Sequence, residues 1–392
     1  MRILYLCADH GIPLLGRRGC STHVRETCRA LQEVGHEIVV LCSRKGHDEG
    51  LDQNLRIIER SPSRFRFLGY DLRNFWHNLP LYREARRIVE TERIEAIYER
   101  FSLYSLVGAW LEKRYHLPHI VEVNAFLSVE HRHKVHFLRL AEMIEAHVVR
   151  NAPALVVVSE PLREALMELR VPPARISIMP MAVNVSHFRP DPQRGREVRA
   201  KWNLEGKYVV GYVGSLSAWH GISLLPEMAR RMLPHCEDFV ILVVGGDAIH
   251  VRKHRAAVRE LGLGRSIIFT GSVPYQDVPG HINAMDVALV PDTNYWTCPT
   301  KMFEYQASGV PTVAPEYPAI LQAMRHGEEG MLFAPRKVEQ AVEHILYLAG
   351  KPELRRRMGE KARTRVAATH SWQNNVERIM HLFENMQRGN HS

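Results

Sequence analysis

The sequence predicts an α/β protein built from two doubly wound halves. Three observations carry this. Short apolar runs alternate with stretches of helical period. The alternation pauses over a polar, proline-containing stretch at residues 187–200 and then restarts. The length, 392 residues, holds two or three domains at roughly 150 residues each.

In the first half, Ile3 to Cys7 reads as a strand, Thr22 to Glu33 as a helix and Ile38 to Cys42 as a second strand. Val24, Cys28 and Leu31 recur at i, i+4, i+7, and Gly35 ends that helix. The unit repeats: strand Glu95 to Tyr98, helix Leu103 to Lys113, strand His119 to Val123, helix Leu138 to Val149. Ala154 to Val158 is apolar throughout, as a strand covered on both faces should be. Pro161 opens a helix to Leu169, and Ile176 to Met179 is a further strand.

Residues 187–200 read as an interdomain linker. Beyond them come strand Lys207 to Val213, helix Ile222 to Met232, strand Phe239 to Val244 and helix Val251 to Leu261. Strands Ser266 to Thr270 and Val287 to Val290 follow, then helix Thr300 to Ser308, strand Thr312 to Pro315, and helices Ala319 to Arg325 and Val338 to Ala349. The expected domains are 1–190 and 204–365. A last helix at about 372–388, carrying Trp372, Val376, Met380 and Phe383, is expected to pack back on the first domain. Open sheets of this kind bind ligands beyond the carboxyl ends of their strands, here expected across a central cleft.

Composition narrows the class. Hydrophobic residues make up 45% and charged residues 24%, which disfavours disorder, collagen and coiled coil. A net charge of +9 and 22 histidines favour anionic partners. The six cysteines form no CxxC pair, so neither a zinc site nor a disulfide framework is expected. The opening residues are apolar for only about five positions, too few for a signal peptide. No run approaches the roughly 18 apolar residues of a spanning helix. A cytoplasmic protein is expected.

Four stretches could carry chemistry. The loop Ala8 to Ser21 holds Gly11, Gly16 and Gly19 and leads into a helix, where backbone N–H groups favour an anion. It lacks the dinucleotide GxGxxG spacing. Gly214 to Gly221 joins a strand to a helix and offers the same chemistry, with His220 adding a hydrogen bond; a tight turn around Trp219 is the plainer reading. The richest stretch is Cys298 to Pro311. There Pro299 is placed to open a helix, Thr300 and the first-turn N–H groups suit a diphosphate, Lys301 can neutralise a leaving phosphate, and Glu304 can accept ribose hydroxyls. A capped helix with a surface Lys and Glu is the alternative. Last, Glu122 and Asn124 end a strand within VEVNAF, with Glu130 and His131 soon after; a turn-forming Asn is the alternative there.

The chain resembles the family 4 retaining glycosyltransferases, whose GT-B fold has two Rossmann-like domains facing across a cleft. The matching stretches are Gly19 through His23 and Val24 to Gly35-His36-Glu37; Tyr98-Glu99-Arg100; Ile178-Met179-Pro180 through Phe188-Arg189-Pro190; Val213-Gly214; Pro299 to Pro311 with Thr312-Val313-Ala314; and Gly327 through Gly330-Met331-Leu332. They run in the family's order over nearly the whole chain, and the Pro299–Pro311 block is the most specific.

The resemblance implies a hexosyltransferase that moves sugar from a nucleotide sugar, UDP- or GDP-linked, to a hydroxyl of a small-molecule, glycan or lipid-linked acceptor. It implies no tightly bound cofactor and no metal. Donor binding falls on Gly19, Gly214, Ser215, His220, Thr297, Cys298, Pro299, Thr300, Lys301 and Glu304. The acceptor side falls on Ser21, His23, Glu122, Asn124 and Glu130. Lys301, Glu304 and Asn124 are the expected catalytic residues.

This sequence departs from the family pattern at several places. The first glutamate of the family's pair is Trp296, so backbone near Thr297 and Cys298 must replace its contact. Ser215 and His220 stand for an Arg and a Lys, which shifts the cationic burden to Lys301. Asn124 stands for a histidine and Asn184 for an Asp.

Two other classes compete. One is a non-hydrolysing, epimerase-like nucleotide-sugar enzyme; the other is a non-catalytic phosphoanion- or nucleic-acid-binding protein. No zinc finger or RNA-binding motif supports the latter, so no nucleic-acid partner is expected. The His- and Arg-rich segment 131–150 could set an amphipathic face against the inner side of an anionic membrane; an ordinary solvated helix is the alternative. A homodimer is left open.

Overall fold

The structure, a computed structural model, describes residues 1–16, 19–46, 55–62 and 69–389. Of the first glycine loop, positions 17 and 18 lie outside the described residues. The chain forms two units, one of residues 1–180 with 372–392, the other of residues 181–371.

In the first unit, strands β1 (Arg2–Cys7), β2 (Glu37–Cys42), β3 (Arg56–Glu59), β4 (Ala96–Arg100), β5 (His119–Val123), β6 (Ala154–Val157) and β7 (Ile176–Ile178) form one sheet in the order β3-β2-β1-β4-β5-β6-β7. All its pairings are parallel. Parallel strands need helices on both faces, which is why their sequences are apolar at successive positions. One face is covered by the helices Gly69–Glu92 and Val107–Tyr115, through Leu81, Ala85, Ile88, Val107 and Leu111. The other face carries helix Gly19–Glu33 and the last helix, Trp372–Gly389. Val376, Ile379 and Phe383 of that last helix are buried with Val24 and Cys28 in one core. A fully buried Phe contributes about 1.5–3 kcal/mol, so this helix is a working part of the first unit.

The second unit has strands β8 (Tyr208–Val213), β9 (Phe239–Val244), β10 (Ile267–Gly271), β11 (Val287–Leu289), β12 (Thr312–Pro315) and β13 (Gly330–Phe333) in the order β10-β9-β8-β11-β12-β13. It too is parallel throughout. In each sheet the chain runs outward in one direction and then in the other. The reversal lies between β1 and β4 in the first, and between β8 and β11 in the second. Such a switch point opens a crevice at the strand carboxyl ends.

Three expectations change. The units divide between Pro180 and Met181, not within 187–200. Residues Pro192–Trp202 are a helix rather than a linker: Asp191 caps its first turn, accepting from the Arg194 N–H at 3.1 Å, and Gly195 is buried against the Asn283 carbonyl. The helix expected at Leu103 begins at Val107, because Tyr104, buried at φ +68°, holds the preceding turn. The helices Gly69–Glu92 and Pro352–Thr369 and strand β13 were not anticipated.

The short helix Thr300–Ala307 ends in a Schellman motif. Gly309, at φ +72°, donates to the Gln306 carbonyl at 3.0 Å, and Val310 donates to the Tyr305 carbonyl at 3.0 Å. Arg363 donates to the Ala307 carbonyl, a cation at the negative end of the helix. This end is pressed against helix Pro352–Thr369 at Gly359, where a Cβ would lie 1.9 Å from the Gly309 carbonyl oxygen. Gly359→Ala is therefore expected to cost about 1–3 kcal/mol in urea unfolding. Gly350→Ala, at a site with nothing within 4 Å of the new carbon, should be near neutral.

Candidate functional site

In the second unit, both arms of the switch point carry expected residues. Gly214 follows β8, and the segment Val290 to Pro299 follows β11. Gly214 has φ +147°, a conformation that favours glycine, and a Cβ there would lie 2.8 Å from Lys301 Nζ. Lys301, in the first turn of helix Thr300–Ala307, thus reaches back under the end of β8.

The Lys301 ammonium is buried, with the residue only 9% exposed. Nζ donates to the Tyr212 hydroxyl at 2.9 Å and lies 3.3 Å from His220 Nδ1. It also sits 4.2 Å from the centre of the Tyr212 ring. The Tyr212 hydroxyl in turn donates to the Ser215 carbonyl at 2.7 Å. Burial drives the lysine down to about 7, against a smaller upward pull from Glu304. Burial and the neighbouring Lys301 hold His220 neutral, at about 2, so its Nδ1 can accept from the ammonium. Tyr305, from the same helix, accepts from the Val213 N–H at 2.7 Å and ties helix to strand.

Around this cluster, Cys298 and Pro299 are buried, and Thr297, Thr300 and Glu304 are half-buried. Pro299 is the residue before the helix, at φ −72° and ψ 133°, and the Met302 N–H returns to its carbonyl at 2.9 Å. Cys298 faces the apolar core, and its thiol is pushed up by burial; its side chain packs rather than reacts. Ser215 Oγ lies 3.1 Å from Ser217 Oγ. Gly221, at φ +70°, packs so closely on Asp292 that a Cβ would lie 2.7 Å from the Asp292 Cβ.

The first unit has a second polar cluster at the carboxyl end of β5. Glu122, 1% exposed, accepts from Asn124 Nδ2 at 2.6 Å and from Arg100 Nη1 at 3.4 Å, and its Oε1 lies 2.5 Å from His23 Nε2. Burial alone would raise this carboxyl. His23, Arg100 and Asn124 outweigh it and hold Glu122 down at about 2. The His23 ring rests 5.3 Å from Trp372 of the last helix.

The structure thus joins His23, Glu122 and Asn124, and of these only Asn124 is partly exposed. Ser21 is fully buried. Glu130 is exposed on the short helix Leu127–Glu130 and makes no contact with Glu122 among the described residues. Gly19 opens helix Gly19–Glu33, with nothing within 4 Å of where a Cβ would stand.

Sequence reasoning missed Tyr212, Tyr305 and Arg100. Tyr212 stands two residues before Gly214 and so on the same side of its strand, which was the available signal. Arg25 was missed as well. It is buried and donates to the Leu14 and Gly16 carbonyls, both at 2.7 Å, fixing the glycine loop to its helix.

Two family models match the chain: Glycosyltransferase Family 4 over residues 17–187 and Glycosyl transferases group 1 over residues 195–365. Among curated proteins, it is 24% identical over 264 residues to a GDP-mannose-dependent alpha-(1-6)-phosphatidylinositol monomannoside mannosyltransferase of Mycobacterium tuberculosis. That match covers 63% of this chain and 66% of the relative. It is 23% identical over 234 residues to the alpha-D-kanosaminyltransferase of Streptomyces kanamyceticus, covering 59% of this chain and 60% of the relative. The chain therefore spans about two thirds or less of these relatives' lengths.

Two solved structures share the fold over almost the entire chain. Sucrose-phosphate synthase from Thermosynechococcus elongatus has a TM-score of 0.82 at 20% identity, covering 99% of this chain and 100% of that one. Anabaena HepE in complex with UDP-glucose has a TM-score of 0.79 at 15% identity, covering 97% and 99%. With one family model on each half and two parallel sheets of the GT-B kind, the chain belongs to the family 4 glycosyltransferases.

Proposed function

We propose that the chain transfers a hexose from a UDP- or GDP-sugar to a hydroxyl of a small-molecule, glycan or lipid-linked acceptor, with retention at the anomeric carbon. The observation that carries this reading is Lys301: a cation buried at the sheet's switch point, beside neutral Tyr212 and His220. An anionic diphosphate supplies the negative charge that these uncharged neighbours do not. HepE, crystallised with UDP-glucose, and the GDP-mannose-dependent relative support a nucleotide sugar as donor.

In this reading the donor's anomeric carbon–oxygen bond breaks, and its electron pair passes to the diphosphate. Lys301 and the first-turn N–H groups of helix Thr300–Ala307 stabilise that charge. The acceptor oxygen bonds to the anomeric carbon on the face the diphosphate leaves, and the acceptor proton moves to the departing phosphate. Glu304 receives the ribose hydroxyls. His220, kept neutral, positions Lys301 where the family pattern has a second cation. Thr297, Cys298, Pro299, Gly214 and Ser215 shape the backbone around the diphosphate, and Gly19 leaves room for a ligand to approach the first unit's glycine loop. Asn124, oriented by Glu122 and His23, meets the acceptor. The exposed Glu130 is left without a role in this assignment. The buried thiols Cys7, Cys28, Cys42 and Cys298 fit a reducing cytoplasm, and no helix among the described residues is long and apolar enough to cross a membrane.

Lys301→Ala is expected to lower kcat for donor turnover about 10²–10³-fold. Glu304→Ala should raise the donor KM about tenfold or more. Near-normal kcat/KM in both variants would overturn this donor site.

The free lysine titrates near 7 and binds the diphosphate only when protonated. Donor kcat/KM should therefore fall by about one log unit per pH unit as the pH rises above that value. The stability sign is opposite. Between about 7 and the ordinary lysine value of 10.5, the folded state holds fewer protons than the unfolded one, so stability rises with pH through that window. Lys301→Met removes a cation that is costly to bury. It should melt no lower than wild type at neutral pH while losing turnover, which separates a binding role from a folding one.

A further inference from the structure

Among the described residues, two helices of the first unit carry large apolar side chains on their exposed faces. On helix Gly69–Glu92, Leu72, Phe75, Trp76 and Leu79 recur at i, i+3, i+4, i+7 and are 41–56% exposed. The inward face of the same helix is already satisfied by Leu81, Ala85 and Ile88. The outward stripe is therefore a second apolar face, not the one that folds the helix.

Helix Leu138–Asn151 repeats the pattern. Phe137, Leu140 and Met143 are 53%, 42% and 68% exposed, while Ala141 is buried. The two helices are tied together near their first residues. Asp71, next to Leu72, accepts from the His136 N–H at 2.8 Å, next to Phe137. Helix Val107–Tyr115 lies between the two, touching the first through Tyr82 and Trp110, whose ring centres are 5.5 Å apart. It forms with the second a groove of 1410 Å³, lined by Leu140 and Met143, by the cations Lys113, Arg139 and Arg150, and by the carboxylates Glu112 and Glu142.

Charge decides the occupant. Along 131–150, Arg132, Lys134, Arg139 and Arg150 are exposed, against Glu142 as the exposed carboxylate. On the other helix the apolar stripe runs on, one turn past Leu79, into the exposed Arg83. Four large apolar side chains exposed along one helix face form a patch of the kind that marks an interaction surface. A second copy of the chain would bring these cations against one another. Aromatic and aliphatic side chains among exposed arginines and lysines match the boundary between acyl chains and anionic headgroups.

We propose that this face of the first unit docks on an anionic phospholipid bilayer. Phe75, Trp76, Leu140 and Met143 enter the interface, and Arg132, Lys134 and Arg139 meet headgroup phosphates. The proposal stands independently of the donor-site reading.

The test is sedimentation of the whole protein with vesicles of phosphatidylcholine alone, and of phosphatidylcholine containing phosphatidylglycerol. Binding is expected on the phosphatidylglycerol vesicles and should weaken as salt is raised. Trp76→Ser with Met143→Ser should lower the bound fraction about tenfold, as should Arg132→Glu with Arg139→Glu. All four side chains are exposed or half-exposed, so an unchanged melting temperature shows that the variants still fold. Absence of binding, equal binding to both vesicles, or unaltered binding by both double variants would overturn the proposal. So would a dimer in light scattering that Trp76→Ser with Met143→Ser breaks apart.

Discussion

A positive charge taken out of water must be compensated locally or it surrenders its proton, and the second unit is arranged around one such charge. Lys301 lies beneath the end of β8, where its nitrogen meets a phenol and an uncharged imidazole. Neither neighbour neutralises it, and the lysine titrates near 7 as a result. The surrounding backbone follows from this position. Gly214 takes a backbone conformation that favours glycine, with the lysine nitrogen and the Tyr212 hydroxyl beside it, and Tyr305 ties the helix to the strand. Arg363 and the Schellman turn then complete the far end of the eight-residue helix.

The first unit solves the opposite problem. Glu122 is a buried anion, and it stays ionised because His23, Arg100 and Asn124 converge on it. Removing one partner from such a cluster leaves an uncompensated charge, which costs more than the pair contributes. The cluster therefore fixes the orientation of Asn124, its one partly exposed member, more firmly than a surface asparagine could be held. A cation set among uncharged partners in one unit and an anion met by Arg100 in the other suit different tasks: the first is suited to a charged ligand, the second orients a side chain.

Much of this was legible in the sequence, for identifiable reasons. Runs such as ALVVV and FVILVV must be strands of a parallel sheet, because only strands covered on both faces are apolar at every position. The block from Pro299 to Ser308 showed its helix start and its cation in one line. Helix Gly69–Glu92 escaped notice because it is apolar on two faces and contains Pro80, which blurs the 3.6-residue period. Helix Pro352–Thr369 is too polar to show one. The stretch at 187–200 looked like a linker because its helix buries little besides Gly195. The contacts of Lys301 could not be read at all. Tyr212 is 89 residues away and His220 is 81, and only the closing of the parallel sheet brings them together. Glu130 shows the converse, since nearness to Glu122 in sequence did not place it in the same cluster.

The last helix has a consequence for how the chain comes into being. The second unit is encoded inside the first, and its two ends are joined to each other: the Val183 N–H donates to the His370 carbonyl at 2.9 Å. Everything this unit needs has been synthesised once Ser371 leaves the ribosome. The first unit begins earlier but cannot close its core until Phe383 has been added. Domains ordinarily complete in the order of synthesis. Here the inner unit can finish while the outer one still waits with the floor of its sheet open, and Trp372, packed on His23, is the first residue of the helix that ends the wait.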